Sequence, residues 1–445
     1  MYAWRSRGAR MSVTGIPVPS VSYSSDIAAV RRVAIASLIG TTIEWYDFLI
    51  YGALAGLIFN QQFFPTGDPF ISTLLAYGTF AAGFVARPFG GLVFGHFGDR
   101  IGRKPLLVLT LMIMGVATLL MGFLPTYQQV GIAAPLMLLT LRVIQGFAIG
   151  GEWGGAVIMA YEYAPPGRRN YYTSFPQVGL AIGLCSGAGV LSLLSYLLTD
   201  VQFAAWGWRV AFFLSIVLLA VGMFIRLRLV ETPAFVQARA RADVARTPIL
   251  EVLRSYPGTV ILGWGARMID GVIFAVFAIF TLSFLVKLVG MPRTTVLAAI
   301  SAASFVLIFM IPMASALADR VGARRLYIIF SIILGLSAFP ALALMQYSGS
   351  VSVAAACIVI VLGILYAPVY GPQAGIFCEL FGTRVRYTGI SLVYQIGAIL
   401  FVSLTPVVAT YLLKVNDNHP WYIAAYVAAS GVVSAVCVAL MRPAK

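Results

Sequence analysis

Seven ionisable side chains lie inside long apolar stretches of this 445-residue sequence. They are Glu44, Asp47, Arg87, Arg142, Glu152, Arg267 and Asp270. In the middle of a membrane-spanning helix each would cost about 2.5–3.5 kcal/mol, so such residues indicate ion pairs, proton carriers or binding sites.

Glu44 and Asp47 are the candidates for carrying a proton. Gly40, Glu44, Asp47 and Tyr51 are spaced i, i+4, i+7 and i+11, which puts them on one face of a helix. Two carboxylates one turn apart in a low-dielectric medium do not both stay ionised easily, so one is expected to bind and release a proton. We favour Asp47 because it lies closer to the centre of its apolar stretch. Alternatively, arginines on other helices neutralise both carboxylates, which then only hold helices together.

Arg87 and Arg142 are candidates for binding a substrate carboxylate, because the guanidinium fork matches a carboxylate with two hydrogen bonds. The alternative is pairing with Glu44, Asp47 or Glu152. Arg267 and Asp270 share a helical face at i, i+3, so they could instead pair with each other. The predicted substrate contacts are Arg87, Arg142, Gln145, Glu152, Arg267, Asp270, Tyr51 and Gln373.

The composition predicts a polytopic membrane protein: 60% of residues are hydrophobic and only 10% are charged. A net charge of +15 would suggest nucleic acid in a soluble protein. Here most Lys and Arg fall in alternate loops and the termini, which instead predicts that both termini lie in the cytoplasm. The four cysteines are scattered and form no C-x-x-C pair, so neither a disulfide framework nor a metal site is indicated, and no cofactor is expected.

Windows of about 20 apolar residues predict an all-α protein with twelve membrane spans. Residues 1–32 form a cytoplasmic tail, 33–229 a first six-helix half, 230–257 a cytoplasmic linker and 258–441 a second six-helix half. The predicted spans are 33–59, 70–94, 106–124, 135–161, 172–198, 207–229, 258–288, 294–317, 326–346, 351–379, 388–413 and 420–441.

A basic loop at 95–105 (GHFGDRIGRKP) has an echo at 315–325 (SALADRVGARR). A repeat at half the chain length indicates two homologous halves. Downstream of each copy an acid precedes an arginine by seven positions, which predicts a charge network within each half that latches helix ends in one state. The second latch is expected to be weaker, because Ala323 stands where Arg103 stands in the first copy. The predicted gating residues are Gly95, Asp99, Arg100, Gly102, Arg103, Glu162, Arg169, Asp319, Arg320, Glu379 and Arg386.

The loop spacing G-x-x-x-D-R-x-G-R-K between two spans resembles the signature loop of the major facilitator superfamily. Three further motifs, at 44–48 (EWYDF), 142–147 (RVIQGF) and 150–155 (GGEWGG), are similar to those of its metabolite:proton symporters, and other runs look most like shikimate-type carriers. The resemblance implies proton-coupled uptake of a small organic acid across a bacterial inner membrane. Tyr366-Ala367-Pro368 departs from shikimate-type members, which tend to have polar or ionisable residues there.

We therefore expect a twelve-helix major facilitator fold that imports a shikimate-like or di/tricarboxylate metabolite with protons by alternating access. The expected partners are the organic acid, protons and the lipid bilayer, with no nucleic acid, and the chain is expected to act as a monomer. The alternatives are a proton-coupled symporter of betaine or proline and a non-transporting membrane sensor. A membrane enzyme is not expected, since no clustered nucleophile, base or metal set appears.

Overall fold

A computed structural model describes residues 27–227, 248–442 and 444 of the chain. The first six long helices are α1 (Ile27–Leu54, continued by a π-helical turn at Ala55–Phe59 and by Asn60–Gln62), α2 (Pro69–Ile101), α3 (Arg103–Phe123), α4 (Ala133–Tyr163), α5 (Arg169–Leu197) and α6 (Asp200–Gln202, Phe203–Gly207 and Trp208–Leu227). Two short helices, Tyr127–Val130 and Pro248–Ser255, accompany the long ones.

The last six long helices contain three more π-helical segments. They are α7 (Pro257–Phe274, Ala275–Phe280 and Thr281–Lys287), α8 (Arg293–Val321), α9 (Ala323–Tyr347), α10 (Val351–Ile358, Val359–Leu365 and Ala367–Glu379), α11 (Arg386–Gly397, Ala398–Ser403 and Thr405–Val415) and α12 (Trp421–Leu440).

The predicted all-α membrane fold is confirmed. Eleven described helices are long and apolar enough to cross a membrane, and α2, with 33 residues, completes the twelve. Large apolar side chains are exposed on their outer faces, as Phe305, Phe309 and Met313 are on α8. Such a face requires lipid rather than water around it.

Several predicted boundaries differ from the structure. Helix α1 begins at Ile27, inside the predicted tail 1–32, while residues 1–26 lie outside the described part. The predicted linker 230–257 contains the helix Pro248–Ser255, and residues 228–247 also lie outside the described part.

The prediction of a loop at 95–105 is wrong. Helix α2 continues to Ile101 and α3 begins at Arg103, so Gly102 alone separates them. Gly102 has a φ of 115° and Gly322, between α8 and α9, has a φ of 95°, a backbone region that favours glycine. The two repeats therefore make the same helix–glycine–helix turn. We call the end of the molecule with these two turns the loop end.

Close helix crossings fix the depth of the polar side chains. A Cβ atom at Gly146 on α4 would strike the backbone of Gly83 on α2. One at Gly183 on α5 would lie 2.6 Å from the Trp45 Cβ atom on α1. Small residues let these backbones approach each other closely. Helices α2 and α4 also pack against α11, and α5 packs against α8 and α10, which joins the first six helices to the last six.

Candidate substrate and proton sites

A small cavity of about 10 Å³, with room for about one water molecule, lies between the first six and the last six helices. Trp45 from α1 and Leu180 from α5 line one side. The other side comes from α7, α10 and α11 and consists of Arg267, Asp270, Phe274, Tyr366, Tyr370, Tyr394 and Val402. Aromatic walls with a few polar groups are typical of a small-molecule site.

Arg267 and Asp270 are the charged pair of this cavity. Both are buried, and they form an ion pair one helical turn apart on α7. The Tyr366 hydroxyl also donates a hydrogen bond to Asp270. Arg267 donates further bonds to Gln373 Oε1 at 3.0 Å and to the Tyr394 carbonyl at 3.2 Å. Three predicted contacts, Arg267, Asp270 and Gln373, thus come together.

Residues of the first six helices contact two tyrosines of the cavity wall, Tyr394 and Tyr370. The Trp153 indole on α4 stacks on the Tyr394 ring, with centroids 3.5 Å apart, while the Arg267 guanidinium lies 3.6 Å from the same centroid. Trp153 donates to Gln177 Oε1 at 2.8 Å, and Gln177 donates to the Tyr370 carbonyl at 2.9 Å. The cavity is therefore connected to both helix groups, the first six helices and the last six.

The two carboxylates of α1 have different surroundings. Glu44 lies 3.4 Å from Arg87 in a buried ion pair. Asp47 accepts hydrogen bonds from Thr118 at 2.5 Å and from Gln145 at 3.4 Å, and its Oδ1 atom has no hydrogen-bond partner among the described residues. A buried carboxylate held by neutral groups is costly to keep charged.

Arg142 packs against neutral groups rather than against the cavity. Its guanidinium donates to Gln145 and lies over the rings of Tyr51 and Phe80, at 4.4 Å and 5.0 Å. The Tyr51 hydroxyl in turn bonds to Thr79 at 2.7 Å. Four predicted substrate contacts, Arg87, Arg142, Gln145 and Tyr51, thus lie within the first six helices and do not line the cavity.

Comparison with known proteins decides the family. The model of the sugar (and other) transporter family matches residues 33–258. The shikimate transporter of Escherichia coli is 38% identical, over 94% of this chain and 95% of its own length. This chain belongs to that transporter family, within the major facilitator superfamily.

Other similar proteins are transporters too, in line with the prediction that the chain is not an enzyme. The inner membrane metabolite transport protein YhjE of Escherichia coli is 39% identical, with 90% and 92% of the two chains covered. The proline/betaine transporter of the same organism is 30% identical, with 96% and 87% covered. The proton:xylose symporter XylE bound to 6-bromo-6-deoxy-D-glucose superposes with a TM-score of 0.76 at 15% identity, covering 92% and 95%.

At the loop end of this major facilitator protein, Asp319 of α8 caps the first turn of α5. It accepts hydrogen bonds from the backbone N–H groups of Asn170 and Tyr171 and from the Asn170 side chain, each at 2.9 Å. A carboxylate at a helix N-terminus satisfies unpaired N–H groups and complements the helix dipole. The second repeat was predicted to hold the helix ends together less strongly. In the structure its Asp319 accepts three hydrogen bonds that join α8 of the last six helices to α5 of the first six.

One ion pair of the predicted charge networks joins the two halves. Glu162 pairs with Arg386 of the other half at 3.0 Å, while Arg169 bonds to the Tyr161 hydroxyl at 3.1 Å. The reason is that α4 packs against α11 at this end, which brings the two helix ends together.

The remaining residues predicted to take part in gating are scattered. Glu379 lies 3.8 Å from Arg324, Arg100 contacts His96, and Arg320 is exposed. Gly95 faces the backbone of Thr388 on α11. The side chains of Asp99 and Arg103 lie outside the described part.

Glu152 lies away from the cavity, against a residue that the sequence analysis missed. It forms a bidentate ion pair with Arg226 of α6 and accepts a hydrogen bond from Thr110 at 3.0 Å. Arg226 is fully buried, although its position near the end of an apolar stretch made it look like a loop residue. The signal for it was indirect: a buried Glu152 requires a cation.

Three further residues were absent from the predicted sites: Trp153, Tyr366 and Thr118. Each has an unexceptional place in an apolar stretch, and only the helix packing gives it a polar partner. For Trp153 the sequence offered two signals, its place in the motif at 150–155 and its neighbour Glu152.

Proposed function

We propose that this chain is a proton-coupled symporter that imports a small organic acid by alternating access. The observation that carries the proposal is the cavity between the two helix groups with Arg267 in its wall. A guanidinium there suits a carboxylate substrate, because it offers a planar set of donors that a carboxylate can accept. The similarity to a shikimate transporter supports the same class of substrate.

We assign the proton to Asp47 rather than to Glu44. Glu44 has a cation, Arg87, within 3.4 Å, whereas the hydrogen-bond donors to Asp47 are the neutral Thr118 and Gln145. Without a paired cation the neutral form of a buried carboxyl group is the less costly one. Proton loading of Asp47 would therefore accompany substrate loading.

In this cycle the loaded carrier opens the loop end. Opening would break the bonds from Asp319 to α5 and the ion pair between Glu162 and Arg386, since both join the two helix groups. The substrate then leaves toward the cytoplasm, with both termini on that side of the bacterial inner membrane. We propose that one monomer performs the cycle.

A second candidate is symport of a compatible solute such as betaine or proline. The aromatic wall supports it, because Trp and Tyr rings attract a quaternary ammonium group. The relative that is a proline/betaine transporter supports it as well.

The test is uptake of labelled solutes into membrane vesicles with an imposed pH gradient. The panel contains shikimate, succinate, citrate, proline and glycine betaine. We expect an organic acid to accumulate only when the outside is more acidic. Accumulation that does not depend on the pH gradient would contradict proton coupling. Accumulation of proline or betaine, without any of the organic acids, would favour the second candidate.

A further inference from the structure

A second and larger cavity, of about 520 Å³, lies at the loop end. Its volume falls within the roughly 300–1,000 Å³ usual for ligand sites. The start of α5 lines one side, and the ends of α8 and α10 with the start of α9 line the other, so the cavity lies between the two helix groups. We call it the loop-end cavity. Its charged lining residues are Arg169, Asp319, Arg324, Arg325 and Glu379.

The two carboxylates of the loop-end cavity already have partners. Asp319 accepts its three hydrogen bonds from the start of α5. Glu379 lies 3.8 Å from Arg324, which also donates to the Met441 carbonyl at 2.9 Å. One carboxylate thus caps a helix, and the other offsets the charge of one arginine.

The other two arginines of this cavity lack a carboxylate partner. Arg169, from the first six helices, donates to the neutral Tyr161 hydroxyl at 3.1 Å and lies 4.7 Å from the centre of the same ring. Arg325, from the last six, is exposed and forms no ion pair within the described part of the chain. Closure of the loop end therefore brings two guanidinium groups to one cavity. Like charges repel, so an anion between them would stabilise this arrangement.

We propose that the loop-end cavity binds a phosphate group between Arg169 and Arg325, and that the bound phosphate holds the loop end closed and slows transport. A phosphate ester carries a charge of about −1.5 to −2 at pH 7 and has three acceptor oxygens, enough to bond two arginines at once. The guanidinium fork matches these oxygens with paired hydrogen bonds. A soluble phosphorylated metabolite and an anionic lipid headgroup both offer this chemistry.

The effect on transport follows from the position of the site. Arg169 belongs to α5 and Arg325 to α9, so separation of the two helix groups would divide the site. A ligand that binds the closed state alone shifts the population toward that state, in proportion to its differential affinity. The anion site is independent of the transported substrate, but its effect on transport rests on the proposed opening of the loop end.

The first experiment measures binding of inorganic pyrophosphate to the purified protein by calorimetry, with ionic strength held constant by potassium chloride. We expect Arg169→Gln and Arg325→Gln each to weaken binding by at least about tenfold, because each removes hydrogen bonds to a charged group. Arg320→Gln is the matched control: it removes the same charge from an exposed side chain at the same end, outside the cavity lining. It should weaken binding by less than about fivefold.

The second experiment needs no variant and measures hydrogen exchange at the N–H groups of Asn170 and Tyr171, which Asp319 caps. Pyrophosphate at a hundred times its dissociation constant should slow exchange that requires opening by about a hundredfold. No binding by wild type, an equal loss of affinity in Arg320→Gln, or unchanged exchange with pyrophosphate bound would overturn the proposal. If a variant does not fold, this wild-type measurement decides.

The source of the phosphate group is tested in lipid nanodiscs. If phosphatidylglycerol slows the same exchange relative to phosphatidylcholine, and Arg325→Gln removes the difference, the ligand is an anionic headgroup. If only pyrophosphate has this effect, the ligand is a soluble phosphate. Either result supports a phosphate site, whereas no effect of either overturns it.

These measurements can fail independently of the symport proposal. If pyrophosphate binds and slows exchange but no solute of the uptake panel responds to a pH gradient, the anion site stands and proton-coupled symport fails. If a solute accumulates with protons but pyrophosphate does not bind, symport stands and the anion site fails.

Discussion

Asp47 and Glu44 lie one turn apart on α1, yet their neighbours give them different chemistry. Glu44 faces Arg87, so amide substitution would leave a buried guanidinium without its counterion. Asp47 faces the hydroxyl of Thr118 and the amide of Gln145, which bond equally well to an amide. The two amide variants should therefore behave differently in both stability and transport.

We expect Asp47→Asn to fold, to lose accumulation of substrate under a pH gradient, and to keep exchange of labelled for unlabelled substrate. The reason is that exchange needs only movement of the loaded carrier, and an amide keeps the shape of the protonated carboxyl group. Glu44→Gln should instead lower stability by about 3–5 kcal/mol, the usual effect of breaking a buried ion pair. The measurements are vesicle uptake, counterflow and thermal unfolding. Substrate concentrated by Asp47→Asn under a pH gradient would exclude Asp47 as the proton site.

At this scale the sequence identified which residues are buried and offered two of their ion pairs, Arg87 with Glu44 and Arg267 with Asp270, as alternatives. All seven ionisable residues found in apolar stretches are buried. The pairing of Glu152 depends on helix packing, which brings it to Arg226, 74 positions away. Hydropathy could not identify Arg226 as a buried residue, because an arginine at the end of an apolar stretch usually lies exposed at the membrane surface.

At the scale of helices, the capping of α5 by Asp319 links two elements from different halves of the chain. We expect Asp319→Ala to weaken the closed loop end by about 1–2 kcal/mol, since a lost N-cap typically costs that much. Hydrogen exchange in the first turn of α5 should accelerate by a corresponding factor of about 5–30.

The neighbouring Arg320→Ala is the control for this experiment, because the Arg320 side chain is exposed. It changes the same end of α8 without touching α5. Equal exchange rates in wild type and Asp319→Ala would mean that the cap does not stabilise the closed state.

The helices themselves were largely predictable, whereas their irregularities were not. The lengths of the apolar stretches predicted twelve spans, because a backbone in lipid must form all its hydrogen bonds internally and is therefore helical. Three π-helical segments adjoin the cavity: one follows Phe274, one precedes Tyr366, and one contains Val402. Periodicity over a whole span does not reveal one wide turn, although such turns are frequent at functional sites.

At the scale of the whole molecule, alternating access requires the loop end to separate. We expect a protein with Asn170→Cys and Asp319→Cys, in a background without the four native cysteines, to lose uptake and exchange when a short bifunctional thiol reagent joins the two positions. Their side chains are in contact, with 2.9 Å between the bonded atoms. Transport that continues after complete cross-linking would exclude opening at this end.

Reduction of a cleavable cross-linker is the control, because it should restore transport in the same sample. The single-cysteine proteins should be unaffected by the reagent. The repeated Asp-Arg-x-Gly motif predicted that this end holds the gate. The ion pair between Glu162 and Arg386 was not predicted, because it follows from the docking of the two helix groups, which the spacing of a single sequence does not encode.

The stack of Trp153 on Tyr394 gives the carrier an optical signal of its own. One ring belongs to α4 and the other to α11, and the guanidinium of Arg267 lies against the second. Separation of the two helix groups would move the indole away from both an aromatic ring and a cation, which changes its emission. Comparing the intrinsic fluorescence of wild type with that of Trp153→Phe isolates this one indole from the other six of the chain, so the conformational cycle can be followed in real time without an attached dye.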